Sequence, residues 1–392
     1  MPSEPRAGLA SGAGAGHEGW PDGFADGEAN RRAVMILASI PGLSPRRLLE
    51  AARGQGSAAA CLERVRAGGL GTDADRQAAS GVDPAALETR LAERGARFVP
   101  AGSEEYPPEL GDLPDPPAAL FVRGRPLSDI PARVAVVGAR NCSALGEEVA
   151  VAVGRGLADA GVGVVSGGAR GIDTAAHRGS LDAGGPTVCV LGSGIDVTYP
   201  LRNARLLDRI VEVGAVVSEY PPGVPAQPFR FPARNRIVAA MSGAVVIVEG
   251  AAGSGSLITA DFALELGRPV YAVPGPVTSP LSEVPLALIR EGAGMIRGAE
   301  DLLLDIGHLD PLTHRREADA GKEAGSRSPG GDLSAQEEAV LGAVAGPTLP
   351  EQVARAAGME LGEVVPILLG LELRGLVRTV GGRVDHRLSG RR

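Results

Sequence analysis

Short apolar runs of three to five residues recur through the middle of the chain, each breaking into a Gly-rich turn and then a longer amphipathic stretch. Val134–Val137, Gly163–Val165, Thr187–Leu191, Ala215–Val217, Ala244–Val248 and Val270–Val273 have the continuous Val/Ile/Ala character of strands buried on both faces. Between them, stretches such as Glu147–Ala160 and Leu257–Leu266 carry helical periodicity. Alternation of strand and helix with short connections predicts a doubly wound, mainly parallel Rossmann-like sheet of the α/β class. In such sheets a ligand crevice lies beyond the carboxyl ends of the strands.

The flanks read differently. Residues 1–29 are rich in Gly, Ala and acids without periodicity, which predicts a disordered tail. From Arg31 the pattern turns helical through Val34, Ile36, Leu37 and Ile40, breaks at Pro41-Gly-Leu-Ser-Pro45, and resumes through Leu48, Leu49 and Ala52. That is either a helix-hairpin-helix unit, whose hairpin amides can face a DNA phosphate, or a small helical packing module. The expected domains are a helical one over 30–100, the Rossmann-like one over 101–306, a linker over 307–331 and a compact one over 332–392. Leu120-Phe-Val122 reads as an edge strand or connector. The last domain shows helices at Ala335–Val344, Leu349–Ala357 and Glu363–Leu373 and a short hairpin, which suits a winged helix docking on DNA or on protein.

Composition narrows the function classes. Net charge is −8, and residues 132–306 hold 14 Arg against 17 Asp and Glu, so any polyanion must be held locally, in a cleft. No apolar run reaches the ~18 residues of a membrane span. Without a basic-then-apolar leader, the chain is expected to be cytoplasmic. Cys61, Cys142 and Cys189 are scattered, indicating neither a disulfide framework nor a metal site. The five histidines form no HExxH and there is no GxSxG elbow. This favours binding over catalysis, with no cofactor implied.

Three turns carry the candidate chemistry. In Val137-Gly-Ala-Arg140, Gly138 permits a tight turn and Arg140 offers a planar fork to phosphate. Ser166-Gly-Gly-Ala-Arg-Gly-Ile-Asp173 removes side-chain bulk at Gly167, Gly168 and Gly171, predicting an anion nest of backbone amides overlooked by Arg170. Asp173 there reads as a cap on the first amides of the next helix, and His177 as a packing residue. Phe231-Pro-Ala-Arg-Asn-Arg236 places Arg234, Asn235 and Arg236 at a helix start within the steepest positive cluster of the chain. The competing reading of that cluster is a buried ion-pair network with Glu219 and Glu249. Glu249-Gly-Ala-Ala-Gly-Ser-Gly-Ser256 is Gly-rich but lacks the lysine of a P-loop.

At these residues the chain resembles the DNA-processing protein DprA (Smf) family. Matching segments run in order: Tyr106-Pro-Pro-Glu-Leu110, Val137–Arg140, Ser166–His177, Tyr199-Pro200, Ser218-Glu-Tyr-Pro221, Phe231–Arg236, Ser254–Ala260 and Val273-Pro-Gly275. The resemblance implies a homodimer that binds and protects single-stranded DNA and helps load RecA recombinase during transformation and recombination. Carried over, Gly138, Arg140, Ser166, Gly167, Gly168, Arg170, Gly171, Arg234, Asn235 and Arg236 would form the strand-binding pocket. The chain departs from the family at Gly168, where Leu is frequent, at Ala251-Ala-Gly253, which lacks a basic residue, and at Pro280–Pro285. The rival is a Rossmann-like nucleotide-binding or nucleoside monophosphate-hydrolysing enzyme. Such sites place a catalytic Glu early in the helix after a Gly-rich turn, whereas Glu265 lies more than two turns into it.

Overall fold

The computed structural model describes residues 19–309, 335–344, 348–359, 361–373, 376–380 and 383–386. Residues 1–18 of the expected tail, and 310–331 of the expected linker, lie outside the described residues.

Five helices lead: α1 (Gly27–Ala38), α2 (Pro45–Gln55), α3 (Ala58–Arg66), α4 (Asp73–Gly81) and α5 (Pro84–Glu93). Their starts are locally encoded. The Ser44 hydroxyl accepts from the Arg47 amide with Pro45 at the first helical position, and Thr72 and Asp75 form a reciprocal capping box. Order begins earlier than expected. Phe24 is buried, Trp20 stacks on it at 4.7 Å, and α1 starts at Gly27. Two aromatic rings anchor a stretch that periodicity alone leaves unassigned.

Nine strands follow in one sheet: β1 (Ala96–Pro100), β2 (Ala119–Gly124), β3 (Arg133–Val137), β4 (Gly163–Ser166), β5 (Thr187–Leu191), β6 (Ala215–Ser218), β7 (Ala244–Ile247), β8 (Val270–Ala272) and β9 (Gly294–Met295). Their order is β1-β2-β6-β5-β4-β3-β7-β8-β9. From β6 to β9 every pairing is parallel, while β1–β2 and β2–β6 are antiparallel. The doubly wound sheet is therefore longer than the six strands read from the sequence. The β1–β2 hairpin extends it, pairing Ala96 with Arg123, so the expected boundary at 100/101 cuts through a hydrogen-bonded ladder. One compact unit reaches to Asp310 and a second begins at Pro311.

Seven helices connect the strands and close this unit: α6 (Ala144–Asp159), α7 (Ile172–Asp182), α8 (Ala204–Val213), α9 (Arg230–Ala240), α10 (Gly255–Glu265), α11 (Glu283–Arg290) and α12 (Ala299–Leu309). Period-two alternation splits β3 between two cores. Val134 and Val136 pack with Val153, Leu157 and Ala176 of α6 and α7, while Ala135 and Val137 pack with Ile237 and Ala260 of α9 and α10. A third cluster joins α1–α3 to Phe98, Phe121 and Val216, welding the helical region to the sheet.

The second unit has its own core, around Val340, Val353, Val364, Leu371 and Val384. It comprises α13 (Ala335–Gly342), α14 (Pro350–Ala357), α15 (Leu361–Leu373) and the antiparallel pair β10 (Val377–Val380) and β11 (Arg383–His386), the expected three helices and wing. Among the described residues no helix is long and apolar enough to cross a membrane, and no group of three or more His, Cys, Asp or Glu could hold a metal ion.

Candidate functional site

The strand order places a topological switch between β3 and β7: the chain winds from β3 through β4 and β5 to β6, then returns to the other flank of β3. A crevice is expected beyond the carboxyl ends of those two strands. A pocket of about 580 Å³ lies there, walled by Gly138–Asn141 after β3, Ala251–Ser256 after β7, and Arg234 and Asn235 of α9. A second, of about 400 Å³, adjoins it and is lined by Arg140, Arg170, Arg202, Arg234, Tyr199 and Phe231.

The turn expected to offer free amides is partly engaged from within, and so is the backbone just beyond Arg140. The Asp173 carboxyl group accepts from the Ala169 amide at 3.2 Å and also from the Gly167 amide, so two amides of the nest already have an internal acceptor. Burial pushes the Asp173 carboxyl up, partly offset by the Arg234 charge and these amides. Asp173 thus ties the preceding turn instead of capping the helix ahead. After β3, Glu249 accepts from the Ser143 amide at 2.9 Å and its hydroxyl at 2.6 Å, while that hydroxyl accepts from Gly146 at the start of α6. Glu249 is therefore a helix-terminal anion and no partner of the arginine cluster.

The glycines serve close approach. A Cβ on Gly167 would lie 2.3 Å from the Arg234 guanidinium. Gly171 has φ +76°, and a Cβ there would meet the Ala139 carbonyl oxygen at 2.2 Å, so this residue locks the two turns together. Gly138 lines the crevice itself. Gly168 and Ser166 do not. Gly168 is buried over Cys189 with its carbonyl accepting from Asn203 Nδ2, and the Ser166 hydroxyl donates to Val136 O at 2.7 Å, stitching β4 to β3.

The Arg234-Asn-Arg236 cluster divides. Arg234 donates to the Gly167 and Val190 carbonyls and, through Nε, to Asn235 Oδ1 at 3.2 Å, while Asn235 Nδ2 donates to Gly255 O. Arg234 is only 3% exposed, yet it borders both pockets. Arg236 turns away, pairing with Asp115 at 3.1 Å and Glu219 at 2.5 Å, and borders neither. The expectation that it shares the pocket with Arg234 is corrected by helix geometry. Positions i and i+2 stand about 200° apart around an α-helix. Burial works against the Arg236 charge, but Glu219 and Asp115 hold its pKa above the ordinary value.

Three guanidinium groups remain exposed. Arg170 donates to Asn141 Oδ1 at 3.1 Å, Arg140 lies 5.4 Å over the Phe231 ring, and Arg202 stands in the turn after Tyr199-Pro200. Among the described residues none of the three forms an ion pair. Phe231 also packs against half-exposed Tyr199, with ring centroids 5.2 Å apart. Arg202 and Tyr199 also line the pocket, though no sequence pattern marks them for it. A lone Arg in a surface turn has no spacing signal, and only the Asn203 bonds to Gly168 O and Thr174 Oγ1, both 2.9 Å, bring that turn to the site. Asp173, already engaged, is the one carboxylate on the described walls of the two pockets.

Comparison with known proteins agrees with this architecture. Residues 97–307 match the family model of DNA recombination-mediator protein A, and 324–383 match the DprA winged helix domain. The chain is 41% identical to Protein Smf of Escherichia coli over 290 residues, 73% of this chain and 76% of that protein. It is 45% identical to DNA processing protein DprA of Streptococcus pneumoniae over 201 residues, 51% of this chain and 71% of that one. The crystal structure of DprA from Streptococcus pneumoniae superposes with a TM-score of 0.61 at 34% identity, covering 71% of this chain and 97% of the other. By these matches the chain belongs to the DNA recombination-mediator protein A (DprA) family.

Proposed function

We propose that this protein is a recombination mediator that holds single-stranded DNA along the carboxyl edge of its sheet. The observation that carries the reading is the pair of adjoining pockets at the switch point, edged by Arg140, Arg170 and Arg202, which are exposed and lack carboxylate partners among the described residues. Guanidinium forks suit phosphate oxygens. Asp173 already engages two amides of the Gly167–Gly171 turn and Glu249 the Ser143 amide, so the guanidinium groups are the main phosphate contacts. Phe231 and Tyr199 offer a base a sequence-tolerant stacking surface. In keeping with the family, the protein acts in the cytoplasm as a homodimer, protects the strand and helps load RecA during transformation and recombination. Binding is favoured over nucleotide hydrolysis by the walls, whose single carboxylate is spoken for, and by Glu265, exposed at the far end of α10.

Neutralising about three phosphates per protomer gives a slope of log affinity against log salt near −2, at ~0.7 per contact. Fluorescence anisotropy with an oligothymidylate tests this. Arg140→Ala/Arg170→Ala should flatten the slope to about −0.7 and weaken binding at low salt. Wild-type affinity and slope in that variant would remove the assigned pocket.

A further inference from the structure

A third cavity, of about 530 Å³, lies on the opposite flank of the α9 start, between the α1–α2 hairpin and the Ser218-Glu-Tyr-Pro221 segment. Ile40, Pro41, Leu43 and Leu48 of the hairpin form one wall, and Tyr220, Phe229 and Ala233 face them. The hairpin so turns apolar side chains to this space, and Ser44, its hydroxyl, is engaged capping α2. Arg236 lines the cavity as well. Its side chain is 5% exposed, and its Nη1 is buried without a hydrogen-bond partner although Nε and Nη2 are ion-paired. A buried donor left unmatched costs about 1–3 kcal/mol, so it marks a place where an acceptor is wanted.

Charge decides what class of acceptor fits. Arg236 is already matched by Asp115 and Glu219, both on the cavity wall, so a phosphate or carboxylate would meet two negative groups. A neutral group with a flat face and an acceptor edge meets no such penalty. At the mouth, Phe229 is 66% exposed, and the Arg230 guanidinium lies 5.2 Å from both the Phe229 and Tyr220 rings. Phe229 and Phe231 are two residues apart, and Phe231 borders the phosphate pocket on the other flank.

We infer that this cavity is a nucleobase subsite for the same strand. As it leaves the arginine pockets, the strand crosses the α9 start beside Arg230 and turns a base inward between Phe229 and the hairpin. The base stacks on Phe229 and turns a carbonyl or ring nitrogen toward the Arg236 guanidinium, whose sealed, unmatched Nη1 a small shift of the wall opens to it. This rests on the proposed single-strand binding and adds to the Phe231–Tyr199 face a second, enclosed base contact, giving the helical region a direct part in recognition.

The test compares an oligothymidylate with an abasic oligomer of equal phosphate number, measured by anisotropy on the full chain. The wild type should prefer the base-bearing strand by about a hundredfold, roughly tenfold for each of two stacked bases, one on Phe231–Tyr199 and one on Phe229. Phe229→Ala should reduce that preference at least fivefold while leaving the salt slope unchanged. Ala38→Leu, which narrows the cavity from the α1 side without touching α9, should do the same. Equal binding of both oligomers by the wild type, or an undiminished preference in folded Phe229→Ala and Ala38→Leu, would overturn the subsite and leave the phosphate pocket standing; an apolar peptide as the true occupant would give that second result. Failure of the wild type to bind either oligomer would overturn both readings.

Discussion

Gly171 shows how a single residue holds the site together. Its left-handed backbone and its contact with the Ala139 carbonyl leave no space for a methyl group. Gly171→Ala is expected to cost about 2 kcal/mol in urea unfolding and to disturb the arginine pockets, because the turns of Arg140 and Arg170 meet there. His177 makes a different point. Thr187 donates its hydroxyl proton to Val164 O at 2.7 Å, so at 2.7 Å it accepts from His177 Nδ1–H, which leaves Nε2 as the buried, unpartnered acceptor. Burial and the Arg234 charge push the His177 pKa down to about 3 from 6.5. Between those values the unfolded chain binds a proton that the folded chain refuses, so stability rises with pH. The contribution is complete above about pH 6.5 and is lost, by about 1.4 kcal/mol per unit, as pH falls toward 3. Melting curves at neutral and mildly acidic pH should show a smaller acid shift in His177→Gln than in the wild type.

At the scale of elements, α9 carries both the ligand-facing and the structural arginine. Removing Arg236 strands Glu219, 8% exposed, without its partner, so Arg236→Ala should cost about 3 kcal/mol in chemical denaturation. The salt slope of the folded fraction should be unchanged, since Arg236 borders neither arginine pocket. An Arg236→Ala protein of wild-type stability would refute the ion-pair assignment. Of the two partners expected in a buried network, Glu219 pairs with Arg236, while Arg234 is held apart from it by backbone carbonyls. Counting residues shows charge density, whereas the 100° step per residue decides which charges share a face. The engagement of the Gly167 and Ala169 amides from within has a related cause. Asp173 sits in the first turn of its helix but bonds back to Ala169, while Glu249 reaches Ser143 across 106 positions. No local pattern announces that long-range partner.

For the whole molecule, the arginine pockets lie entirely within the unit ending at Asp310, and the C-terminal unit has a separate apolar core. A chain ending at Asp310 should keep the salt slope of binding and unfold in one transition, whereas the full chain should show an additional calorimetric transition. A changed slope on truncation would mean that the C-terminal unit contributes phosphate contacts of its own.

Strand identity, parallel class and the winged helix are legible in the sequence, because buried Val/Ile/Ala runs and Gly-punctuated turns have local physical causes. So are the turns at the sheet's carboxyl edge and the family to which they point. Strand order is not legible, nor is the β1–β2 hairpin that joins the helical region to the sheet, since neighbours are chosen by whichever faces bury together across long separations. The same limit governs the site. Composition supplied the guanidinium groups and the missing bulk, but only tertiary packing determined that Arg140, Arg170 and Arg202 stay open while Arg236, Asp173 and Glu249 are consumed internally. A charge acts through distance and burial, and neither is a property of a residue's place in the chain.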